Sequence, residues 1–388
     1  MSTSVKFLHS ELPGAPVLSG TAGSLIAVLD ACLVNGWGLL TAQSAVVAGG
    51  VCTLNFSTGH AFEVDTVALV SGAAVAEING EQRISAAGTN LVRFPAPGVA
   101  DGPVGGTITI KIAPAGWSKP FSGANKGAYR SLSPSATGAY LRIDHTAPRY
   151  ARMRAYSTMT DIDAGTDPTP TDAQLSGGVY VPVSGAADAS ARRWIVAASD
   201  RFVHILVASS ATYPLDYASV CAGDFLSLKA GDAYRVIVVG DPSDTSGSGS
   251  PGISNSLHQA SGYVGVYVMR SYTQTGGAIP GYLYKPGFTY STYSGATNHP
   301  VGPNPINNSV EITPTLMLEG IVPSGNRRGE VPGVYGIPHY LGSALDSKDR
   351  IAAAIGLPGH TLVAVRFYGS STLSNSYRFA LDITGPWE

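Results

Sequence analysis

Short apolar runs, each closed by turn residues, limit this chain more than any other feature, because they leave few stretches long enough for a helix. In residues 107–112, Ile108, Ile110 and Ile112 alternate with Thr107, Thr109 and Lys111, the period-two signature of a half-buried strand. Residues 45–48 and 51–56 flank Gly49-Gly50, a dipeptide suited to the left-handed turn of a tight hairpin. Residues 62–70 and 91–94 continue the series. Further strand candidates lie at 140–143, 150–156, 179–183, 194–197, 202–208, 234–239, 263–269, 362–368 and 377–383, parted by clusters of Gly, Pro, Asp and Ser.

Two segments have helical spacing instead. Ser24 precedes Leu25, Val28, Leu29, Cys32 and Leu33, and Asn35-Gly36 stops the pattern, so one capped amphipathic helix is expected there. Asp346 or Ser347 is positioned to cap a second helix through Ile351, Ala354 and Ile355, closing at Gly356-Leu357-Pro358. The expected fold is mainly β: a small helix-plus-β domain over residues 1–115, a connector at 116–129, and a larger β-sandwich or barrel-like region over 130–388 with long loops. Residues 241–262 form a Gly/Ser-rich stretch expected as an exposed loop. No repeat of fixed period is evident, which argues against a solenoid or propeller.

Only 13% of residues are charged, against about 25% in ordinary soluble domains. An apolar content of 44% with 47 glycines and 26 prolines points to a turn-rich folded chain rather than a disordered one. Neutral faces covered by neighbouring subunits account for such a surface, as does a weakly charged β protein. The formal net charge of -2 supplies no basic field for nucleic acid. Cys32, Cys52 and Cys221 are too few and too scattered for a disulfide framework. Residues 1–14 carry Lys6, His9 and Glu11 with no continuous apolar run, so no signal peptide is expected. Gly20, Gly23 and Asp30 interrupt the apolar stretch 17–34, so no membrane insertion is expected either.

Catalytic patterns are scarce. The nucleophile elbow G-x-S-x-G is absent, and the eight histidines show no H-x-x-x-H spacing. Asp144-His145 reads as a general-base pair or, more simply, as a solvated turn. Asp161, Asp163 and Asp167 around Gly165 lack the spacing of an EF-hand and read as a polar β-turn. The G-x-G-x-x-G match at Gly247, Gly249 and Gly252 lies in the Ser/Gly-rich loop with no helix after it, so it reads as turns. No catalytic residue, metal or cofactor is therefore expected.

Binding character concentrates in one segment. Between residues 245 and 310 the only charged residues are Arg270 and Lys285, yet tyrosines recur. Tyr282, Tyr284, Phe288, Tyr290 and Tyr293 are candidates for buried core, for a protein interface, or for stacking sugars. The turn-dense sequence from Tyr282 to Pro305 favours an interface loop. Arg327, Arg328 and Glu330 are candidate bridges to a neighbour, or else a solvated loop. Pro332-Gly333 suits a type II turn, and Trp387 is placed to anchor the C-terminus by burying its indole.

The chain resembles a group of virion structural proteins of tailed bacteriophages. VKFLHSELPGAPVLSGTAGSLIAVLDACLVNGWG, TITIKIAPAGW, GDFLSLKAGDAYRVIVVG, RRGEVPGVYGIPHY and LDITGPW carry the resemblance, scattered over nearly the whole length. It implies a non-enzymatic subunit of a homo-oligomeric tail, baseplate or collar component. A capsid decoration or head fibre protein, and a glycan-binding receptor-recognition module, are the alternatives. Implied partners are other copies of itself, other virion proteins and host-surface glycan, with no nucleic acid. The implied location is the virion, assembled in the host cytoplasm.

Overall fold

The computed structural model describes residues 2–215, 217–243, 265–284, 304–306, 309–320, 325–338, 345–351, 354–366 and 378–387. Strands account for 48% of the chain and helices for 6%, so the mainly β expectation holds. Four antiparallel sheets dominate. The largest sheet runs, in spatial order, through Lys6–His9, Arg193–Ala198, Phe202–Ala208, Ala218–Asp224, Val236–Gly240, Gly265–Val268, Ile279–Tyr284, Thr313–Glu319, Asn326–Gly336, Arg378–Asp382, Leu362–Arg366 and Arg350–Ile351. A five-stranded sheet follows the order Trp117–Gly123, Lys126–Ser131, Tyr140–Asp144, Tyr150–Tyr156 and Val179–Pro182. Strands between Leu40 and Ile112 make a four-stranded and a second five-stranded sheet.

The large sheet curls so that its two ends share a core. Ile195, Ala197, Phe202, Leu206, Ile237 and Val239 pack in one apolar cluster with Met317, Val334, Val365, Phe379 and Trp387 from the far end. The alternate residues Val196, Val203, Ile205, Val207, Val220 and Val238 join a second cluster with the helix and the smaller sheets. Central strands are thus covered on both faces. This explains why Phe202–Ala208 is buried at every position and reads as a continuous apolar run. The first strand, Lys6–His9, lies at the edge of this same sheet, paired with Arg193–Ala198.

Several local expectations hold. Ser44–Ala48 and Val51–Asn55 pair across Gly49-Gly50, whose φ values of 57° and 72° give the left-handed turn that glycine adopts without a steric penalty. Ile108, Ile110 and Ile112 are buried, and so are all three cysteines, none of them in a disulfide. Among the described residues no helix is long and apolar enough to cross a membrane.

Others are corrected. The first helix is α over Ser24–Leu29 and π over Asp30–Asn35, and Ser24 does not cap it: its hydroxyl donates to the Ser19 carbonyl instead. The helical reading around Ile351 fails. Ile351 pairs with Leu362, and Ala354–Ile355 pairs in parallel with Val310–Glu311, so cross-strand packing overrides a short and ambiguous periodicity. The stretch 116–129 falls in a hairpin of Trp117–Gly123 and Lys126–Ser131. In the 62–70 run the strand starts only at Val67, after Asp65 takes a positive φ of 71°. Residues 244–262 of the Ser/Gly-rich stretch lie outside the described residues.

Pro332-Gly333 does not reverse the chain. Both residues sit within Asn326–Gly336, where the ladder to Thr313–Glu319 is interrupted between Pro314 and Leu316. Gly333 has φ of 69°, and a Cβ there would overlap the indole of Trp387. That indole is 5% exposed, donates from Nε1 to the Asp382 carbonyl at 3.1 Å and meets His204 edge-on at 5.3 Å. The C-terminus is anchored as expected from Trp387.

His204 gives this core an acid sensitivity. Fully buried, it donates from Nε2 to the Pro332 carbonyl at 2.7 Å, while Nδ1 has no hydrogen-bond partner among the described residues. Burial pulls its pKa from 6.5 down to about 4. Because the unfolded chain takes up a proton first, stability falls as pH drops from 6.5 towards 4, by about 3 kcal/mol at the lower limit. Urea denaturation at pH 7 and pH 4.5 should show that loss in the wild type and a smaller one in His204→Gln. Equal losses in both would assign the acid sensitivity elsewhere.

Candidate functional site

Three neighbouring strands bring part of the Tyr/Arg candidate set together. Tyr282 on Ile279–Tyr284 is in register with Leu318, and Leu318 with Arg327 on the next strand. One step along, Tyr284 is opposite Leu316 and Leu316 opposite Glu330. Directly opposed residues share a face of the sheet, so these six side chains form two parallel rows. The alternate residues Leu283, Met317 and Val331 point into the core and are buried. The six-residue face is therefore the outward one.

Its chemistry is apolar and aromatic with one ion pair. Tyr284 is 42% exposed, and Tyr282, Leu316 and Leu318 are half-buried. Arg327 Nη2 meets Glu330 Oε1 at 2.5 Å, with both side chains open to water. The neighbouring strand Leu226–Ser227 pairs beside Glu330 and leads into Leu228, which is 62% exposed. Four large apolar or aromatic side chains beside one surface ion pair make an exposed, weakly charged patch.

Arg328 takes a different path from Arg327. The ladder shifts register between Met317 and Leu318, and this bulge lets consecutive arginines diverge. Arg328 is 3% exposed; its Nη2 and Nε reach Asp232 Oδ2 at 2.7 and 3.0 Å, and its Nη1 reaches Glu319 Oε2 at 2.6 Å. The Asp232 carboxylate also accepts from Ser227 Oγ and the Tyr234 amide. Arg328 is thus bound within the chain. Phe288, Tyr290 and Tyr293 lie outside the described residues.

The other motifs resolve into internal contacts. His145 is fully buried rather than solvated, and its Nδ1 accepts the Leu25 amide at 3.2 Å at the start of the helix. Asp144 accepts from Thr146 and from Arg142. Asp161 and Asp163 belong to a small hairpin of Thr158–Asp161 and Ala164–Thr166. Asp163 meets Lys126 at 2.9 Å and Arg142 at 2.5 Å, and hydrogen bonds from these two cations hold its carboxyl below the usual range. Asp167 is lowered by Ser157 first and then by Arg270, which it meets at 2.9 Å. Among the described residues no group of three or more His, Cys, Asp or Glu is gathered to hold a metal.

A shallow depression beside the five-stranded sheet is lined by Trp117, Tyr140, Arg201 and Asp224, among others. Burial raises the pKa of Asp224, whose two oxygens accept from the Thr137 amide and hydroxyl at 2.7 and 2.6 Å. That carboxylate fastens the loop after Ser131 to the large sheet. Residues that sequence reasoning missed are Leu316, Leu318 and Leu228; Glu330, already a candidate, joins the face as the ladder partner of Leu316. The signal lay in Leu316 and Leu318 flanking Met317, which marks two faces without marking which one is core.

The fold and this face define a mainly β protein built on a curled antiparallel sheet, with a neutral, aromatic outward surface. No family model matches the chain, and no curated protein sequence matches it. Among solved structures, a chain titled Phage phi92 endosialidase is similar with a TM-score of 0.17 and 10% identity, over 90% of this chain and 52% of that one. The chain thus spans about half the length of that structure.

Proposed function

We propose that this protein is a non-enzymatic structural subunit of a tailed-phage particle, in a homo-oligomeric tail, baseplate or collar component. It works by mutual coverage: copies of the chain, or other virion proteins, hide faces that carry too few charges to be stable surfaces alone. The observation that carries this reading is the outward face of Tyr282, Tyr284, Leu316, Leu318 and Arg327, a largely apolar surface presented by three paired strands. The resemblance of RRGEVPGVYGIPHY and LDITGPW to virion proteins supports the same reading, since both segments shape this end of the sheet.

The test is the mass of the purified full chain in solution, by sedimentation equilibrium over a hundred-fold concentration range. Reversible assembly above one chain mass is expected, with Tyr284→Lys shifting the mixture towards monomer. A strict monomer at every concentration, alone and with the other particle proteins, overturns the proposal.

A further inference from the structure

The same face is complementary to itself. Two rows cross the three strands, Tyr282–Leu318–Arg327 and Tyr284–Leu316–Glu330, so each row holds a tyrosine, a leucine and a charged residue in the same order. The charges differ in sign between the rows, and they already attract each other within one chain. An axis lying in the face and running across the strands midway between the rows exchanges one row for the other. We infer that a second copy docks here about such a two-fold axis, resting on the self-association proposed above. Arg327 of one copy then meets Glu330 of the other, twice over, while leucine meets leucine and tyrosine meets tyrosine.

The physical case is the matching of unlike chemistry. Neighbouring strands stand about 4.8 Å apart, so in each row the tyrosine and the charged residue sit on the two outer strands with leucine between them. Within these three strands the apolar side chains are thereby flanked on one side by charges that a second copy pairs. An isologous contact needs one patch that satisfies itself. A two-fold axis running along the central strand instead sets each tyrosine against a charged residue and leaves Glu330 facing an aromatic ring.

Charge reversal tests the geometry on the full-length chain by sedimentation and native mass spectrometry. Arg327→Glu places like charges across the axis and should weaken self-association by about ten-fold or more, and Glu330→Arg should do the same. Mixing the two variants should restore dimers containing one copy of each, and the double variant carrying both reversals should dimerise like the wild type. Recovery in the mixture and the double variant rules out misfolding as the cause. If the wild type associates but single reversals change nothing, or the mixture gives no mixed dimer, this two-fold contact is wrong while self-association stands. If the wild type stays monomeric alone, this contact is wrong, and the broader proposal falls as well if the chain also stays monomeric with the other particle proteins.

Discussion

Replacing Arg83 by methionine should cost about 3–5 kcal/mol of folding stability, the loss expected when a buried, fully bonded charge is removed from its partners. Arg83 is 2% exposed and donates five hydrogen bonds, all to backbone carbonyls. They run to Ser2 and Val5 near the start, to Asp65 in the first half, and to Ile383 and Thr384 near the end. The guanidinium carries five N–H groups in a rigid fork, so each finds a partner. Burial works against the cation and lowers its pKa, while Asp65, Asp382 and Glu81 partly offset this through space. Without Arg83, five carbonyls from three distant segments lose their donor together. Arg83→Lys should recover little of the loss, because an ammonium has three donors and cannot span the same fork. Urea denaturation at pH 7 measures the change, and amide exchange in Lys6–His9 should accelerate in the methionine variant. A cost below about 1 kcal/mol would mean that water replaces the side chain without penalty.

Much of the fold could be read from local chemistry. Alternation in Gly106–Ile112 and the glycine pair between Ser44–Ala48 and Val51–Asn55 each encode their own structure, and both elements form where the pattern places them. The apolar run of Phe202–Ala208 signals a strand buried on both faces, although nothing in it says that the second face meets a distant part of the same sheet. Failures occur where pairing decides. Ile351, Ala354 and Ile355 fit a helix equally well on paper, but their partners Leu362, Val310 and Glu311 are supplied by other segments. His145 looks chemically interesting beside Asp144, and only the folded chain reveals that its ring accepts the Leu25 amide in the first turn of the helix Ser24–Leu29. The candidate face was half legible. Tyrosines and arginines mark the strands, but the side they present depends on a ladder register that a single sequence does not carry.

Arg327 and Arg328 make the sharpest case, because adjacent and identical residues should respond in opposite ways. Arg328→Ala should destabilise the fold by about 3–5 kcal/mol, since it strands the Asp232 and Glu319 carboxylates in a site with almost no access to water. The Asp232 side chain has no exposed surface and that of Glu319 has 11%. Neutralising the closer carboxylate as well tests the origin of the effect: Asp232→Asn keeps an acceptor for the Tyr234 amide, and combined with Arg328→Ala it leaves Glu319 as the one stranded carboxylate and should regain part of the loss. A coupling of about 1.5 kcal/mol or more from the double-mutant cycle would place the energy in the pair itself. Additive losses would place it in packing against the Phe225 ring, 5.7 Å from the guanidinium carbon. Arg327→Ala should change folding stability by no more than about 0.5 kcal/mol, the scale of a solvent-exposed ion pair. Its effect should appear in self-association instead. The bulge that separates these side chains therefore divides scaffold from surface within one peptide unit, and equal destabilisation by the two alanine variants would refute that division.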